Sequence, residues 1–332
     1  MSQHHIAADS RSSAESLVGR ITRRTSRWWR TTAVGVAIWG VACSGAGSGS
    51  PTGPGHVAEH SGSDSLAVPD FVFVSDASGV DQLYRYTGGT ITRLTHSDLP
   101  DTDPQSAAGR LVFTSFRDGN GEVYIATLDG DSATRLTTSD GDDREPALSP
   151  DGARIVFVSD RSGVPRLWIM DATGAHQAAL ATGSAGYTPE RAPTWSPDGA
   201  QIAFTSTRSG ISQVYLVAPT GGNAVQLTHE SGGAFDPAWS ADGTQIYYAA
   251  GSSPTRIRVI TVATGAASDY AQLGGDAPPS LGEPACTATI CLAVRGAYGT
   301  TGDIVAYPGP NTHGTTLVGT GANEHSPAFL VP

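Results

Sequence analysis

The sequence lacks lysine and the motifs that mark several common enzyme classes. All 20 of its basic residues are arginine, and charged residues make up only 15% of the chain. It contains no GxSxG nucleophile elbow, no HExxH pair, no phosphate-binding loop and no GxGxxG. Enzymes that depend on these motifs are therefore excluded, whereas a catalytic site assembled from scattered loop residues is not.

The sequence also lacks a hydrophobic run long enough to span a bilayer. The apolar stretch "TTAVGVAIWGVAC" has about a dozen residues and follows the basic segment "RITRRTSRWWR", the arrangement of an export signal. It ends at Cys43 after Gly40, Val41 and Ala42, which resembles the lipobox of bacterial lipoproteins. We therefore expect a signal peptide over residues 1–42 and lipidation of Cys43. The alternative is a cleaved secretory peptide with Cys43 left free or removed.

Few apolar residues follow Cys43. The run "SGAGSGSPTGPGHVAEHSGSDS" is rich in Gly, Ser and Pro and cannot form a core. We expect residues 43–70 to be a flexible tether and residues 71–332 to form the folded region. Membrane contact is expected through the lipid anchor only.

Cysteine is scarce, and its spacing excludes the common zinc sites. The chain has three cysteines, with no CxxC pair and no Cys/His cluster. Cys286 and Cys291 lie five residues apart in "PACTATICLA". They either close a short hairpin as a disulfide, which export would permit, or are two small apolar residues in neighbouring strands.

The chain after the predicted signal peptide is acidic. Residues after position 42 include 14 arginines and 29 acidic residues, a formal balance of −15. A surface of this sign repels phosphate backbones. We therefore expect no nucleic-acid partner.

Six prolines mark an internal repeat of about 45 residues. They are Pro104, Pro146, Pro193, Pro237, Pro284 and Pro327, separated by 42, 47, 44, 47 and 43 residues. Each unit has acidic residues before the proline, a short strand, a turn and three further strand-like runs. The turn "SPDG", at 149–152 and 196–199, suits a hairpin, because Pro presets φ, Asp bonds its own backbone and Gly adopts the left-handed conformation. Four strands per unit predict an all-β chain that forms a β-propeller.

The two ends of the repeat complement each other. The first apolar run, "FVFVS" at 71–75, matches a second strand and has no first strand before it, whereas the chain ends in "NEHSPAFLVP", a first strand with no second after it. We predict that the C-terminal strand completes the first blade. This closes a six-bladed β-propeller of four-stranded blades and leaves no open sheet edge between the ends.

The repeat resembles that of the TolB-like propellers, which reads as acid, proline, aromatic residue, Ser-Pro-Asp-Gly, Ile-x-Phe, Ser-x-Arg-x-Gly and Leu-Thr. Residues 193–228 show this pattern most fully, and the resemblance covers residues 71–332. It implies the propeller fold and an exported location, periplasmic or anchored at the outer membrane. TolB itself carries an α/β domain of over a hundred residues before its propeller, whereas here fewer than thirty tether residues precede the propeller. The resemblance therefore implies little about the Tol-Pal transport system.

Acidic residues precede every repeat proline by one or three positions. On an extended strand these two positions share a face, which predicts carboxylates around one mouth of the central channel. The candidate metal ligands are Asp103, Asp143, Glu190, Asp236, Glu283 and Glu324. They either hold Ca²⁺, a hard cation that prefers oxygen ligands, or cap backbone amides at turns and strand starts. Crowded like charges would raise some of their pKa values unless a cation is bound.

Arginines recur in the second turn of the repeat, and one histidine adjoins an acidic residue. Arg117, Arg161, Arg208 and Arg295 recur close before a glycine in the second turn of their units. We expect them to bond turn carbonyls or the aspartate of a neighbouring hairpin. His325 adjoins Glu324 at the predicted channel mouth and is either a ligand or polar surface.

A propeller repeat without a catalytic constellation favours a non-enzymatic binding scaffold. We expect a lipid-anchored monomer that presents a loop face to an envelope protein or peptide. One alternative is a metal-dependent carbohydrate-active enzyme of the polyuronide lyase type that uses the acidic mouth with His325. The other is a propeller that binds Ca²⁺ or a small ligand as a sensor.

Overall fold

The structure is a computed structural model that describes residues 67–130, 132–251, 256–271, 281–296, 302–310, 312 and 314–331. The predicted signal peptide, Cys43 and the predicted tether up to residue 66 lie outside the described residues. None of the described residues belongs to a helix that could span a lipid bilayer. Their regular structure is β-strand.

The strands are short and follow the chain in six groups of four, with the first group completed by the last strand. They are β1 (Phe71–Ser75), β2 (Gln82–Thr87), β3 (Thr90–Arg93), β4 (Asp101–Ala107), β5 (Arg110–Ser115), β6 (Glu122–Thr127), β7 (Thr134–Arg135), β8 (Asp143–Leu148), β9 (Arg154–Ser159), β10 (Arg166–Asp171), β11 (Ala178–Ala179), β12 (Glu190–Trp195), β13 (Ile202–Ser206), β14 (Gln213–Val217), β15 (Val225–Gln226), β16 (Ala234–Trp239), β17 (Gln245–Ala250), β18 (Arg256–Thr261), β19 (Ala267–Ala271), β20 (Leu281–Cys286), β21 (Cys291–Arg295), β22 (Asp303–Tyr307), β23 (Thr315–Val318) and β24 (Glu324–Phe329).

The sheets confirm the predicted six-bladed propeller. Blade 1 has the order β24-β1-β2-β3, and blades 2 to 6 contain β4–β7, β8–β11, β12–β15, β16–β19 and β20–β23. The first strands β4, β8, β12, β16, β20 and β24 each contact the first strands of both neighbouring blades. They therefore form a ring around the propeller axis, as in other propellers.

The C-terminal strand closes the ring as predicted. β24 pairs antiparallel with β1, so that Phe71 lies opposite Phe329 and Val72 lies opposite Ala328. Val72 is fully buried and Ala328 is almost so. The last strand of the chain thus supplies both the first ladder of blade 1 and part of its core.

The Ser-Pro-Asp-Gly turns share one hydrogen-bond network. In blade 3, Ser149 Oγ donates to Asp151 Oδ1 at 2.5 Å and accepts from Arg154 N at 2.9 Å. Gly152 has a φ of +69°, and a Cβ at this residue would lie 2.8 Å from the Ala108 side chain. Blade 4 repeats the network with Ser196 and Asp198, and blade 5, whose turn reads Ser-Ala-Asp-Gly, repeats it with Ser240 and Asp242. The repeated turn is thus a side-chain cap that holds the first hairpin of blades 3, 4 and 5.

The hydrophobic core lies between neighbouring blades, on both faces of each second strand. In β9, Val156 and Val158 pack with Phe204 of blade 4, whereas Phe157 packs with Val112 of blade 2. Successive strand residues point to opposite faces of the sheet. An uninterrupted apolar second strand, such as "IVFVS", therefore fills the core on both sides of its blade.

Blade 6 closes its first hairpin differently. Cys286 and Cys291 lie opposite each other in the β20–β21 ladder and form a disulfide, with their Cα atoms 4.1 Å apart. In blade 4 the corresponding last pair before the turn is Trp195 and Ile202. The disulfide thus lies in a first hairpin that lacks the Ser-Pro-Asp-Gly sequence.

Candidate binding site where the first strands begin

Each first strand is interrupted immediately before its repeat proline. The residue there, called the bulge position, has a φ between +47° and +52° in all six blades. The bulge positions are Asp103, Glu145, Ala192, Asp236, Glu283 and Ser326. The ladder to the second strand shifts register around each of them. Residues other than glycine adopt this conformation at an energetic cost, and a bulge breaks the alternation of side chains.

The bulge separates the two acidic positions that the sequence placed on one face. The residue three before the proline, called the strand-start position, is Asp101, Asp143, Glu190 or Glu324 in blades 2, 3, 4 and 1, and each of these four is fully buried. The bulge residues are only half-buried. The shared face was therefore a wrong expectation, because it assumed an uninterrupted extended strand.

An arginine of the second turn pairs with the strand-start acid in three blades. The distances are 3.1 Å for Arg117 and Asp101, 2.6 Å for Arg161 and Asp143, and 2.7 Å for Arg208 and Glu190. We expected these arginines to bond turn carbonyls or the aspartate of a neighbouring hairpin, but the acid belongs to the first strand of the same blade. Arg208 also donates to a carbonyl, that of Thr182, at 2.7 Å. Each pair therefore ties the second turn to the strand nearest the axis.

Aromatic rings and a serine complete the surroundings of these arginines. In blade 3 the guanidinium carbon of Arg161 lies 4.3 Å from the ring centre of Trp168 and 5.8 Å from that of Phe157, while Nε donates to Ser159 Oγ at 2.8 Å. Blades 2 and 4 repeat this with Phe113, Tyr124 and Ser115 around Arg117, and with Phe204, Tyr215 and Ser206 around Arg208. We call the acid, the serine and the two rings together an arginine slot. It suits a planar cation that stacks and donates hydrogen bonds at once.

The last two blades depart from this arrangement. Blade 5 has Ala234 and blade 6 has Leu281 at the strand-start position. Arg295, which the sequence grouped with the other arginines, is the last residue of β21 and lies opposite Leu281 in the ladder. It donates to Asp303 Oδ2 at 2.9 Å. Arg295 thus occupies the position of the slot serine, because the shortened first hairpin of blade 6 shifts the alignment.

The bulge acids bind backbone amides of the next blade. Glu145 Oε2 accepts from Ala192 N at 2.6 Å, and Glu283 Oε2 accepts from Ser326 N at 2.5 Å. The carboxylate of Asp236 accepts from the backbone N of Glu283. Carboxylates can satisfy such otherwise unpaired amides at bulges. These acids therefore link successive first strands around the axis.

The six candidate metal ligands fall into the two sets. Asp103, Asp236 and Glu283 are bulge residues, whereas Asp143, Glu190 and Glu324 are strand-start residues. Among the residues that the structure describes, no three His, Cys, Asp or Glu side chains are arranged to hold a metal ion. A Ca²⁺ site at these residues stays a prediction, and its strand-start members Asp143 and Glu190 already have arginine partners.

The bulge residue Asp236 and His325, which precedes the bulge residue Ser326, have shifted pKa values. Burial, together with the charges of Glu283 and Glu145, raises the pKa of Asp236 to about 7. Burial lowers the pKa of His325, but the neighbouring Asp81 and the charges of Glu283 and Asp103 outweigh it, so the net pKa is raised. His325 Nε2 lies 3.8 Å from Asp81 Oδ1. Neighbouring carboxylates thus raise the pKa of both groups.

Asp236→Asn is expected to raise the free energy of unfolding by about 1–3 kcal/mol at pH 8 and to leave it nearly unchanged at pH 4. The folded pKa of Asp236 lies above its unfolded value, so its stabilising contribution is complete below about pH 4 and is lost as the pH rises through about 7. Asparagine does not titrate. Urea unfolding at several pH values measures the difference, with the exposed Asp98→Asn as control. A wild-type minus variant difference that does not vary with pH would contradict this.

Three large apolar side chains are exposed on one face of the propeller. This face, called the start face, carries the loops that lead into the first strands and the turns between second and third strands. Leu99 and Tyr187 lie in two of these loops, and Ile211 lies in one of these turns, with exposed fractions of 44%, 68% and 44%. Exposed aromatic and aliphatic side chains are typical anchors of protein interfaces. The start face is therefore the better candidate for a partner.

Sequence reasoning missed the bulges and the arginine slots. The signal for the slots was present, since an acid before the proline, an aromatic residue in each of two strands and "SxR" occur together in blades 2 to 4. The ladder registers were needed to show that these residues meet. No signal in the sequence marks the left-handed bulge residues, which are Asp, Glu, Ala or Ser.

Residues 100–191 and 184–290 match the family model described as the TolB beta propeller domain, and together they span more than half of the chain. Solved structures share the fold. TolB from Acinetobacter baumannii is 20% identical over 80% of this chain and 67% of that chain, with a TM-score of 0.66. A putative TolB from Agrobacterium tumefaciens is 17% identical over 75% of this chain and 88% of that chain, with a TM-score of 0.60.

An enzyme shares the same fold. A puromycin-hydrolyzing peptidase from Mycobacterium tuberculosis is 16% identical over 71% of this chain, with a TM-score of 0.53. The likeness covers 40% of the peptidase chain. At these identities the solved structures show a common fold and not a common activity.

Proposed function

The chain belongs to the TolB beta propeller domain family, and from that premise we propose that it is a non-enzymatic, exported and lipid-anchored scaffold whose start face binds an envelope protein or peptide. The observation that carries this proposal is the exposure of Leu99, Tyr187 and Ile211 on one face. All three lie in connections between strands on the start face of the closed ring.

Several acids near the repeat prolines, which the sequence offered as metal ligands or catalytic groups, bind other groups of the protein. Asp143 and Glu190 pair with arginines, and Glu145 and Glu283 accept backbone amides. A catalytic acid or metal ligand must be available to substrate or metal. This use of the carboxylates supports a binding role over a metal-dependent lyase.

The charge of the chain after residue 42 favours a basic partner surface. The chain after residue 42 has a formal balance of −15, and complementary charge speeds association and selects partners. The disulfide between Cys286 and Cys291 fits an oxidising compartment outside the cytoplasm. Both features agree with a protein that works in the cell envelope.

Site-specific photo-cross-linking tests the proposed face. A benzoylphenylalanine at position 187, in the full chain expressed in the native cells, is expected to give a discrete cross-linked species that contains one partner protein. Val331 is the matched control, because it is 47% exposed and follows β24 on the opposite face. Cross-linking at 331 but not at 187 would contradict the proposed face. Absence of any partner at 187, together with polyuronide cleavage that a chelator abolishes, would contradict the scaffold.

Labelling with radioactive palmitate tests the anchor. The wild-type chain is expected to incorporate label and to sediment with membranes, whereas Cys43→Ala is expected to do neither. Wild-type protein that carries no radioactive palmitate and stays in the soluble fraction would show that Cys43 does not anchor the chain.

A further inference from the structure

Blade 1 contains an arginine slot without its arginine. Glu324 lies opposite Ser75 in the ladder, as Asp143 lies opposite Ser159 in blade 3. The two ring positions are filled by Phe73 and Tyr84, whose centres are 5.8 Å apart with an interplanar angle of 27°. In blade 2 the corresponding values for Phe113 and Tyr124 are 5.7 Å and 28°. The walls of the slot are therefore the same.

The second turn of blade 1 differs from that of blade 3 by one residue. It reads "SDASGV" at 75–80, whereas blade 3 reads "SDRSGV" at 159–164. Gly79 N donates to Asp76 O at 2.7 Å, and the equivalent bond from Gly163 N to Asp160 O is also 2.7 Å. The turns have the same backbone bonds, and Ala77 stands where Arg161 would be. Ala77 is exposed, so this position opens on the start face.

In blades 2 to 4 the arginine donates hydrogen bonds to the strand-start acid and to the serine, and in blade 1 these two groups have no arginine partner within the described part of the chain. Glu324 is fully buried, and its Oε2 has no hydrogen-bond partner among the residues that the structure describes. Its Oε1 accepts from Thr320 Oγ1. Ser75 Oγ accepts only the backbone N of Ala77 there, whereas Ser159 Oγ also accepts Arg161 Nε.

The ring and the charges around Glu324 agree with a missing cation. Tyr84 is half-buried, so part of it is open to solvent. Burial raises the pKa of Glu324, and the acids that face it, Asp303 and Asp76, raise it further, against the opposing hydrogen bond from Thr320. A buried carboxylate without a cation is costly. A guanidinium at this place would remove that cost.

We infer that the blade 1 slot binds an arginine side chain presented by a partner protein or peptide. The inference rests on the proposed scaffold function and specifies the chemistry of the partner. The incoming guanidinium donates to Glu324 Oε2 and Ser75 Oγ and stacks on Tyr84, as the chain's own arginines do in blades 2 to 4. Lysine fits less well, because its ammonium neither stacks as a plane nor donates in a fork.

Titration with amino-acid probes tests the slot apart from the partner. Nα-acetyl-arginine methylamide is added to the ¹⁵N-labelled chain, with Nα-acetyl-lysine methylamide as the matched control. We expect saturable amide shifts at Ser75, Ala77 and Tyr84 with the arginine probe, and binding of the lysine probe weaker by about tenfold. Equal binding of the two probes, or no saturable shift with arginine, would overturn the inference.

Two variants locate the binding. Ala77→Arg fills the slot from within and is expected to abolish the shifts while raising the melting temperature. Glu324→Gln removes the charge and is expected to weaken arginine binding by about tenfold or more. One variant fills the slot and the other removes its negative charge, so either of them tests the location if it folds. Arginine shifts that persist unchanged in either variant would place the binding elsewhere.

The same variants distinguish this inference from the scaffold proposal. Cross-linking at position 187 is repeated in the Ala77→Arg background, where a partner that uses the slot is expected to be lost. If the partner still cross-links, the scaffold stands and the arginine inference fails. If wild-type position 187 captures no partner but the arginine probe binds, the slot stands and the proposed face fails.

Discussion

Ending the chain at residue 322, before β24, is expected to abolish cooperative folding of the propeller. The deletion removes the ladder to β1 and uncovers Phe71, Val72 and Val74, which are all fully buried. Burial of each such side chain is worth about 1.5–3 kcal/mol, and the total stability of a domain is about 5–15 kcal/mol. Circular dichroism during heating and limited proteolysis measure the loss.

A shorter deletion is the control for this truncation. Removing residues 331 and 332 leaves β24 intact and costs two hydrogen bonds, from Val331 N to Ser106 Oγ and from Gly109 N to Val331 O. We expect a cooperative melt with a loss of about 1–3 kcal/mol. A cooperative melt of the chain that ends at residue 322 would mean that β24 does not complete blade 1.

Arg161→Met is expected to destabilise the protein by about 3–5 kcal/mol. Asp143 is fully buried, and Arg161 is its cationic partner at 2.6 Å. Removal of the guanidinium leaves a buried charge uncompensated and uncovers the ring of Trp168. The free energy of unfolding in urea measures the effect.

The matched control is Arg256→Met, because its ion pair with Asp269 is exposed, with 48% of the arginine side chain accessible. Exposed pairs contribute about 0–1 kcal/mol. The double variant Asp143→Leu/Arg161→Met is expected to recover much of the lost stability, since it removes both buried charges. Equal losses for Arg161→Met and Arg256→Met would show that the slot pairs have no special energetic weight.

The closed ring of six blades could be predicted from the sequence, because each repeat unit contains the same kinds of turn and buried strand. Proline spacing, the Ser-Pro-Asp-Gly turns and uninterrupted second strands such as "IVFVS" fix the number and type of strands. The missing first strand before Phe71 and the surplus strand at Phe329 predicted the closure, which the β1–β24 ladder confirms. Local turn chemistry and burial on both faces are encoded within a few residues.

The site could be predicted only in part, because its geometry depends on registers and backbone conformations that span a whole blade. The sequence identified the acids but placed Asp101 and Asp103 on one face, since it contains no signal for a left-handed residue at Asp103. It identified Arg117 and Arg161 as structural but not their partners. It also aligned Arg295 with them, although the shortened hairpin of blade 6 moves that residue to the end of β21.

The β1–β24 pairing is the central claim, because both the closed ring and the empty arginine slot require Glu324 beside Ser75. Val72→Cys/Ala328→Cys in a Cys43→Ser background tests it most directly, since these residues are ladder partners. After oxidation of the folded protein and cleavage at arginines, we predict a disulfide that links the peptide ending at Arg85 to that of residues 296–332. Recovery of these two peptides unlinked, from protein that melts cooperatively, would contradict the account.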